Sequence, residues 1–261
     1  TGTVRTSTFL DGTADDPRIG MVVTSLGRTL EMFQLGDPTQ RRQVALGASS
    51  SVTPVSIATR GSWVAVPLGN AASVALIDAG RQSVERFFLF PEGNATGAAF
   101  VDDSTLLVTN LIDDYVGRVR IDQAGDRISD SVTVAPAPTA VVTEGNRAYV
   151  ISSNLDDAFA PLGDGVVTAV DPVTLEVMDT VSTGGQNPSA GALGPDGLLY
   201  VLNTGDFVAP ASLAIIDPES MERMGLVEGM GVGAGGLSVG EDGMLFVSGF
   251  FFGTLVWDSN T

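Results

Sequence analysis

Six copies of a cassette spaced about 45 residues apart predict an all-β fold, a six-bladed β-propeller of four-stranded antiparallel blades. Two apolar strands recur in each copy, and no segment carries a convincing helical period. The best-kept copy is Gly194-Pro-Asp-Gly-Leu-Leu-Tyr-Val-Leu-Asn-Thr-Gly-Asp206. It reads as a tight Asp-Gly turn, a strand ending in Tyr200-Val201, and a polar loop opening with Asn203. Relatives stand at Gly240–Gly249, Thr143–Asn154 and Val101–Asn110, with weaker ones at Thr59–Asn70 and Arg18–Gly27. The 261 residues are read as one domain, 1–261, with blades near 3–47, 55–90, 97–134, 138–182, 189–228 and 233–261.

Each strand position has its own residue signature. The innermost strands are rich in small residues, as at Ser56-Ile-Ala-Thr, Gly97-Ala-Ala-Phe, Thr139-Ala-Val-Val and Gly233-Ala-Gly-Gly, because strands crowded around an axis need small side chains. The second strands align on Val23, Val66, Val108, Val150, Val201 and Val247 and are apolar on both faces, as a sheet sandwiched between neighbours requires. The third strands mostly end in Asp, as in Ala75-Leu-Ile-Asp78 and Ala214-Ile-Ile-Asp217. Turn formers fill the hairpins: Asp196-Gly197 and Asp242-Gly243 after first strands, Asp37-Pro38, Asp171-Pro172 and Asp217-Pro218 after third strands. Much of the acidity is therefore turn chemistry. The sixth copy stops where its fourth strand should begin, and Val4–Leu10 is free to fill that vacancy or the innermost place of the first. An empty innermost place would uncover two apolar flanks, so the first blade is the better assignment; an N-terminal strand completing the last blade is the alternative.

The run Pro195-Asp-Gly-Leu-Leu-Tyr-Val-Leu-Asn203, with Ala214-Ile-Ile-Asp-Pro218 after it, resembles the YVTN/lactonase-like β-propeller repeats. The resemblance is strongest over 138–258 and implies the fold. Its superfamily spans sugar lactonases, surface-layer proteins and binding scaffolds, so the likeness leaves function open.

Thirteen basic residues, all arginine, face 31 acidic ones for a net charge of −18. That balance works against nucleic acid and favours a cationic partner, while also serving solubility. No apolar run approaches the roughly 20 residues of a membrane-spanning helix. The chain opens on Thr1 and not on Met, as after removal of a secretory signal or trimming of the start, and an extracytoplasmic setting, periplasmic or secreted, is the expectation. His, Cys and Lys are absent. This excludes Ser-His-Asp and Cys-His triads, a Schiff base and ordinary zinc or blue-copper sites.

What remains lies in the loops after the second strands: Asn70; Asn110, Asp113 and Asp114; Asn154, Asp156 and Asp157; Asn203 and Asp206. Oxygen-only clusters of this kind suit Ca²⁺, with Asn110, Asp113, Asn154, Asp157, Asn203 and Asp206 as ligands, or else simply cap their own loops. Two Phe runs are candidate docking surfaces, Phe87, Phe88 and Phe90 on a fourth strand and Phe250, Phe251 and Phe252 in a loop, unless they pack into the seams between blades. The leading expectation is a non-catalytic module that binds another protein, an extrinsic subunit of a larger complex. The alternative is a Ca²⁺-dependent hydrolase of lactones or sugar esters with Asp156 or Asp206 as base.

Overall fold

The computed structural model describes residues 3–5, 18–128 and 130–258, and among them it has 23 strands and no helix. Six sheets follow one another along the chain. The first holds β1 (Thr3–Arg5), β2 (Arg18–Thr24), β3 (Thr29–Gln34) and β4 (Arg41–Ala45). The second holds β5 (Ala58–Arg60), β6 (Trp63–Pro67), β7 (Ser73–Asp78) and β8 (Ser83–Leu89). The third holds β9 (Ala95–Phe100), β10 (Thr105–Asn110), β11 (Tyr115–Arg120) and β12 (Asp130–Thr133). The fourth holds β13 (Pro138–Glu144), β14 (Arg147–Ser152), β15 (Val166–Val170) and β16 (Val177–Ser182). The fifth holds β17 (Pro188–Leu193), β18 (Leu199–Asn203), β19 (Ser212–Asp217) and β20 (Glu222–Glu228). The sixth holds β21 (Ala234–Val239), β22 (Met244–Gly249) and β23 (Thr254–Asp258). In every sheet consecutive strands pair side by side, so the blades are simple meanders.

The N-terminal strand lies innermost in the first sheet, with Thr3 opposite Gly20, Val4 opposite Ile19 and Arg5 opposite Arg18. This agrees with the preferred assignment for Val4 and Arg5; residues 6–10 of that expected strand lie outside the described residues. The sixth sheet has three strands among the described residues.

The chain divides into two compact units. One runs through Asn110 and includes Gly117–Ser131; the other comprises Leu111–Val116 and the chain from Val132 onward. In the first unit, Ile19, Met21, Leu30 and Met32 pack against Val64, Val66, Ala75 and Ile77, one face of the first sheet on one face of the second. In the second unit, Leu199 and Val201 of β18 pack on Tyr149, Ile151, Val167 and Ala169. Tyr200 and Leu202 point the opposite way, to Leu245 and Val247 with Leu255 and Trp257 beside them. A strand buried on both faces cannot alternate with polar residues, which is why β18 reads Leu-Tyr-Val-Leu. Each such side chain contributes about 1.5–3 kcal/mol of burial. The two tyrosines reach polar ground at the hairpin end: Tyr200 donates to Asp196 Oδ2 at 2.7 Å and Tyr149 to the carbonyl of Pro218 at 3.2 Å.

The Asp-Pro hairpins close as the sequence predicts. Asp171 Oδ1 accepts from the amides of Val173 and Thr174, and Asp217 Oδ1 from those of Glu219 and Ser220. Those amide hydrogen bonds, from Thr174 and Glu219 foremost, hold both carboxyls below the ordinary range. Gly197 and Gly243 take left-handed φ values of 80° and 82°, conformations that favour glycine in a tight hairpin.

Candidate functional site: the loops after the second strands

A meander places every second-to-third-strand loop at the blade end where the chain also arrives for the innermost strand. Asn110, Ser152, Asn203 and Gly249 close four second strands at matching positions, opposite Ala95, Pro138, Pro188 and Ala234. A register shift beside each pair gives the innermost strand an extra residue there. These bulges turn the chain into the strand and bring its lead-in segment over the side chain below.

The polar candidates serve that junction. Asn110 is buried; its Oδ1 accepts from the amide of Asn94 at 3.0 Å and its Nδ2 donates to the carbonyl of Glu92 at 3.1 Å. Gly93 lies so close above this amide that a Cβ there would collide with it. Asn203 is the counterpart under Gly185 and donates to Ser212 Oγ at 3.2 Å, while its buried Oδ1 has no hydrogen-bond partner among the described residues. Asn154, left-handed at φ 55°, donates to the carbonyl of Asp164 and spans its own loop. Asn70 accepts from Asn94 Nδ2, and Asp114 accepts from the amide of Ala137, which leads into β13. Asp113 and Asp157 stand exposed on their loops.

Asp156 and Asp206 act as loop struts. Asp156 Oδ1 accepts from the amides of Ala158 and Ala160, and Asp206 Oδ1 from those of Val208 and Ala209. The Ala209 amide and then the Val208 amide hold the Asp206 carboxyl below its ordinary value, which makes it a weaker proton acceptor. Ca²⁺ takes 6–8 oxygens. Among the described residues no group of three or more carboxylates is placed to hold a metal ion, and Asn110, Asn154 and Asn203 each turn their amide to their own blade. As arranged, the amides of Asn110 and Asn154 and the carboxylates of Asp156 and Asp206 tie their loops.

The aromatic candidates separate into two kinds. Phe88 and Phe90 are buried and offer no surface; the strand period of β8 turns Phe88 inward and leaves Phe87 part-exposed. The Arg86 guanidinium covers the Phe88 ring at 4.5 Å. Phe252 is half-buried and joins the cluster around Tyr200. Phe250 and Phe251, by contrast, are 77% and 73% exposed.

Two further exposed rings lie on the loops after β14 and β18, and residue patterns did not single them out. Phe207 lies 6.4 Å from Phe250, centroid to centroid, and Val208 beside it is 80% exposed. Phe159, on the loop after β14, is exposed with Leu162. Both Phe159 and Phe207 are left-handed, at φ 60° and 62°, which is unusual for a bulky side chain. The signal was present in the sequence as a shared loop pattern, Asp156-Asp-Ala-Phe159-Ala-Pro161 and Asp206-Phe207-Val-Ala-Pro210: an Asp that caps, a Phe, then Ala-Pro. Next to Phe250 is an open hollow of about 230 Å³ lined by Gly235, Gly236, Ser248 and Gly249.

No protein-family model matches the chain. No curated protein sequence matches it either. Solved structures do match. Hydrazine synthase of Kuenenia stuttgartiensis is similar at 19% identity and TM-score 0.66, over 78% of this chain and 57% of that one, so the chain spans little more than half its length. A protein of Bacteroides uniformis assigned by name to the 6-phosphogluconolactonases is similar at 16% identity and TM-score 0.71, over 92% of this chain and 77% of that one. The WD40 β-propeller domain of Doa1 is similar at 12% identity and TM-score 0.67, over 92% and 78%. Likenesses at this identity carry the fold alone, and with the six meander sheets they make the chain a six-bladed β-propeller.

Proposed function

We propose that the chain is a non-catalytic binding module that docks another protein on the loops after β18 and β22, as an extrinsic subunit of a larger assembly. The observation that carries this is the exposed apolar cluster of Phe207, Val208, Phe250 and Phe251. Single exposed apolar residues are ordinary, but adjoining aromatic rings on neighbouring blades are the composition of interface centres. The fold has a built-in comparison. Leu175 and Met221 are also left-handed and also follow a capping Asp, at the hairpin end, and both are buried. There the strained residue plugs the core; at the loop end the same device holds Phe159 and Phe207 out to solvent. Backbone strain gathers at functional sites, and strain at a bulky exposed ring supports a docking role for it.

The test places a photo-crosslinking p-benzoyl-phenylalanine at position 251 and, as control, at Met224, an exposed apolar position on β20. A discrete adduct formed in source extract from position 251 alone, and suppressed by adding Phe207→Ala, is the expected result. Equal adducts from both positions, or none from 251, would overturn the reading.

A further inference from the structure

We propose that this aromatic face receives a cationic segment, a stretch of Arg or Lys side chains presented by the partner and seated against the exposed Phe rings. The inference rests on the docking role above and names the chemistry of what docks. Rings and carboxylates alternate on the same loops. Residues 154–165 carry Phe159 with Asp156, Asp157 and Asp164, and residues 204–211 carry Phe207 with Asp206. Neither loop, nor residues 250–253, contains an arginine.

Elsewhere in the described residues arginines neutralise nearby acids, as in Arg60–Asp103, Arg118–Asp130 and Arg120–Asp122. None of them forms an ion pair with Asp156, Asp157, Asp164 or Asp206. These loops therefore carry carboxylates without an arginine partner among the described residues, on the same stretches as the exposed rings, on a chain of net charge −18. An aromatic face attracts a guanidinium or ammonium through its quadrupole, and adjoining carboxylates add a screened Coulomb attraction. The chain itself uses the first of these contacts where Arg86 covers Phe88. An acidic or purely apolar partner would leave those carboxylates facing like charge or losing water without compensation.

Calorimetric titration of the whole chain with a hexa-arginine peptide, and with hexa-glutamate as control, tests this. Hexa-arginine is expected to bind and hexa-glutamate not to. Removing three rings together in Phe207→Ala/Phe250→Ala/Phe251→Ala should weaken binding about tenfold. Asp157→Asn/Asp164→Asn should weaken it about threefold. Glu219→Gln/Glu222→Gln, which removes equal charge at the hairpin end, should change it less than about twofold. Circular dichroism checks that each variant is folded. Equal loss in both charge variants with no loss in the Phe variant would reduce the effect to bulk acidity and overturn the proposal. If hexa-arginine fails to bind while position 251 still crosslinks a discrete protein, docking stands and the cationic chemistry falls. Ring-dependent hexa-arginine binding without any crosslinked partner would support the chemistry and overturn the docking role.

Discussion

Asn110→Asp alters one terminal group and separates the two roles assigned to this side chain. In the loop-tying role the amide both accepts from Asn94 and donates to the carbonyl of Glu92, in a fully buried place. A carboxylate keeps the first bond and loses the second, leaving the Glu92 carbonyl facing a buried negative charge. An uncompensated buried charge costs about 3–5 kcal/mol. At about 2–4 °C per kcal/mol for a chain of this size, Tm falls by roughly 6–20 °C at neutral pH. The loss has a definite pH sign. Burial raises the pKa of the introduced carboxyl, and its protonated form can donate to Glu92, so the deficit shrinks as pH falls through that raised value. In a Ca²⁺-ligand role the same substitution adds an anionic oxygen and strengthens the site. Thermal unfolding of both proteins in EDTA and in Ca²⁺ reads the difference. A variant as stable as the parent, or one whose Tm rises with Ca²⁺ more than the parent's, would refute the loop-tying argument and return Asn110, Asn154 and Asn203 to the cation.

Phe207→Gly should be more stable than Phe207→Ala by about 1 kcal/mol, because both lose the ring and only glycine relieves the left-handed backbone; denaturant unfolding giving Ala the equal or higher stability would deny that conformation. Asp171, Asp206 and Asp217 have carboxyls held below their ordinary value by backbone amides. Their stabilisation is present above the unfolded carboxylate pKa of about 4 and is lost as pH falls through the lower folded values. Asp171→Asn/Asp217→Asn keeps the turn acceptors but cannot titrate, so its acid unfolding limb should be shallower than the parent's; superimposable limbs would contradict the turn account.

The sequence is most legible where one physical cause acts on one residue. Glycine at Gly197, Asp before Pro at residues 171 and 217, and uninterrupted apolar runs at β14 and β18 each have a single reason, and hairpins, second strands and third strands could be placed from them. The loops are less legible because Asn and Asp serve cation binding and backbone capping with the same oxygens. Only geometry shows that Asn110 holds residues 92–94 and that Asp206 holds 208–209. The Phe runs mislead for a related reason: adjacent Phe residues on a strand face opposite ways, so Phe88 is core while Phe87 is part-exposed. A run in a loop has no such period, and Phe250 and Phe251 are both outside while Phe252 folds back on the cluster around Tyr200.

Acidity in this chain therefore has two consequences that composition alone merges. At the hairpin end, Asp171 and Asp217 cap turns whose left-handed residues, Leu175 and Met221, are buried, so the carboxylates serve the fold. At the loop end, Asp156 and Asp206 cap loops whose left-handed Phe residues face solvent. The same local bonds thus place an aromatic ring and a negative charge together on a capped turn. A ring so held loses less conformational freedom on binding than one on a mobile loop, and more of its contact energy appears as affinity. In the proposed docking role, an acid that caps such a turn also faces the partner, because the residue it positions is turned outward.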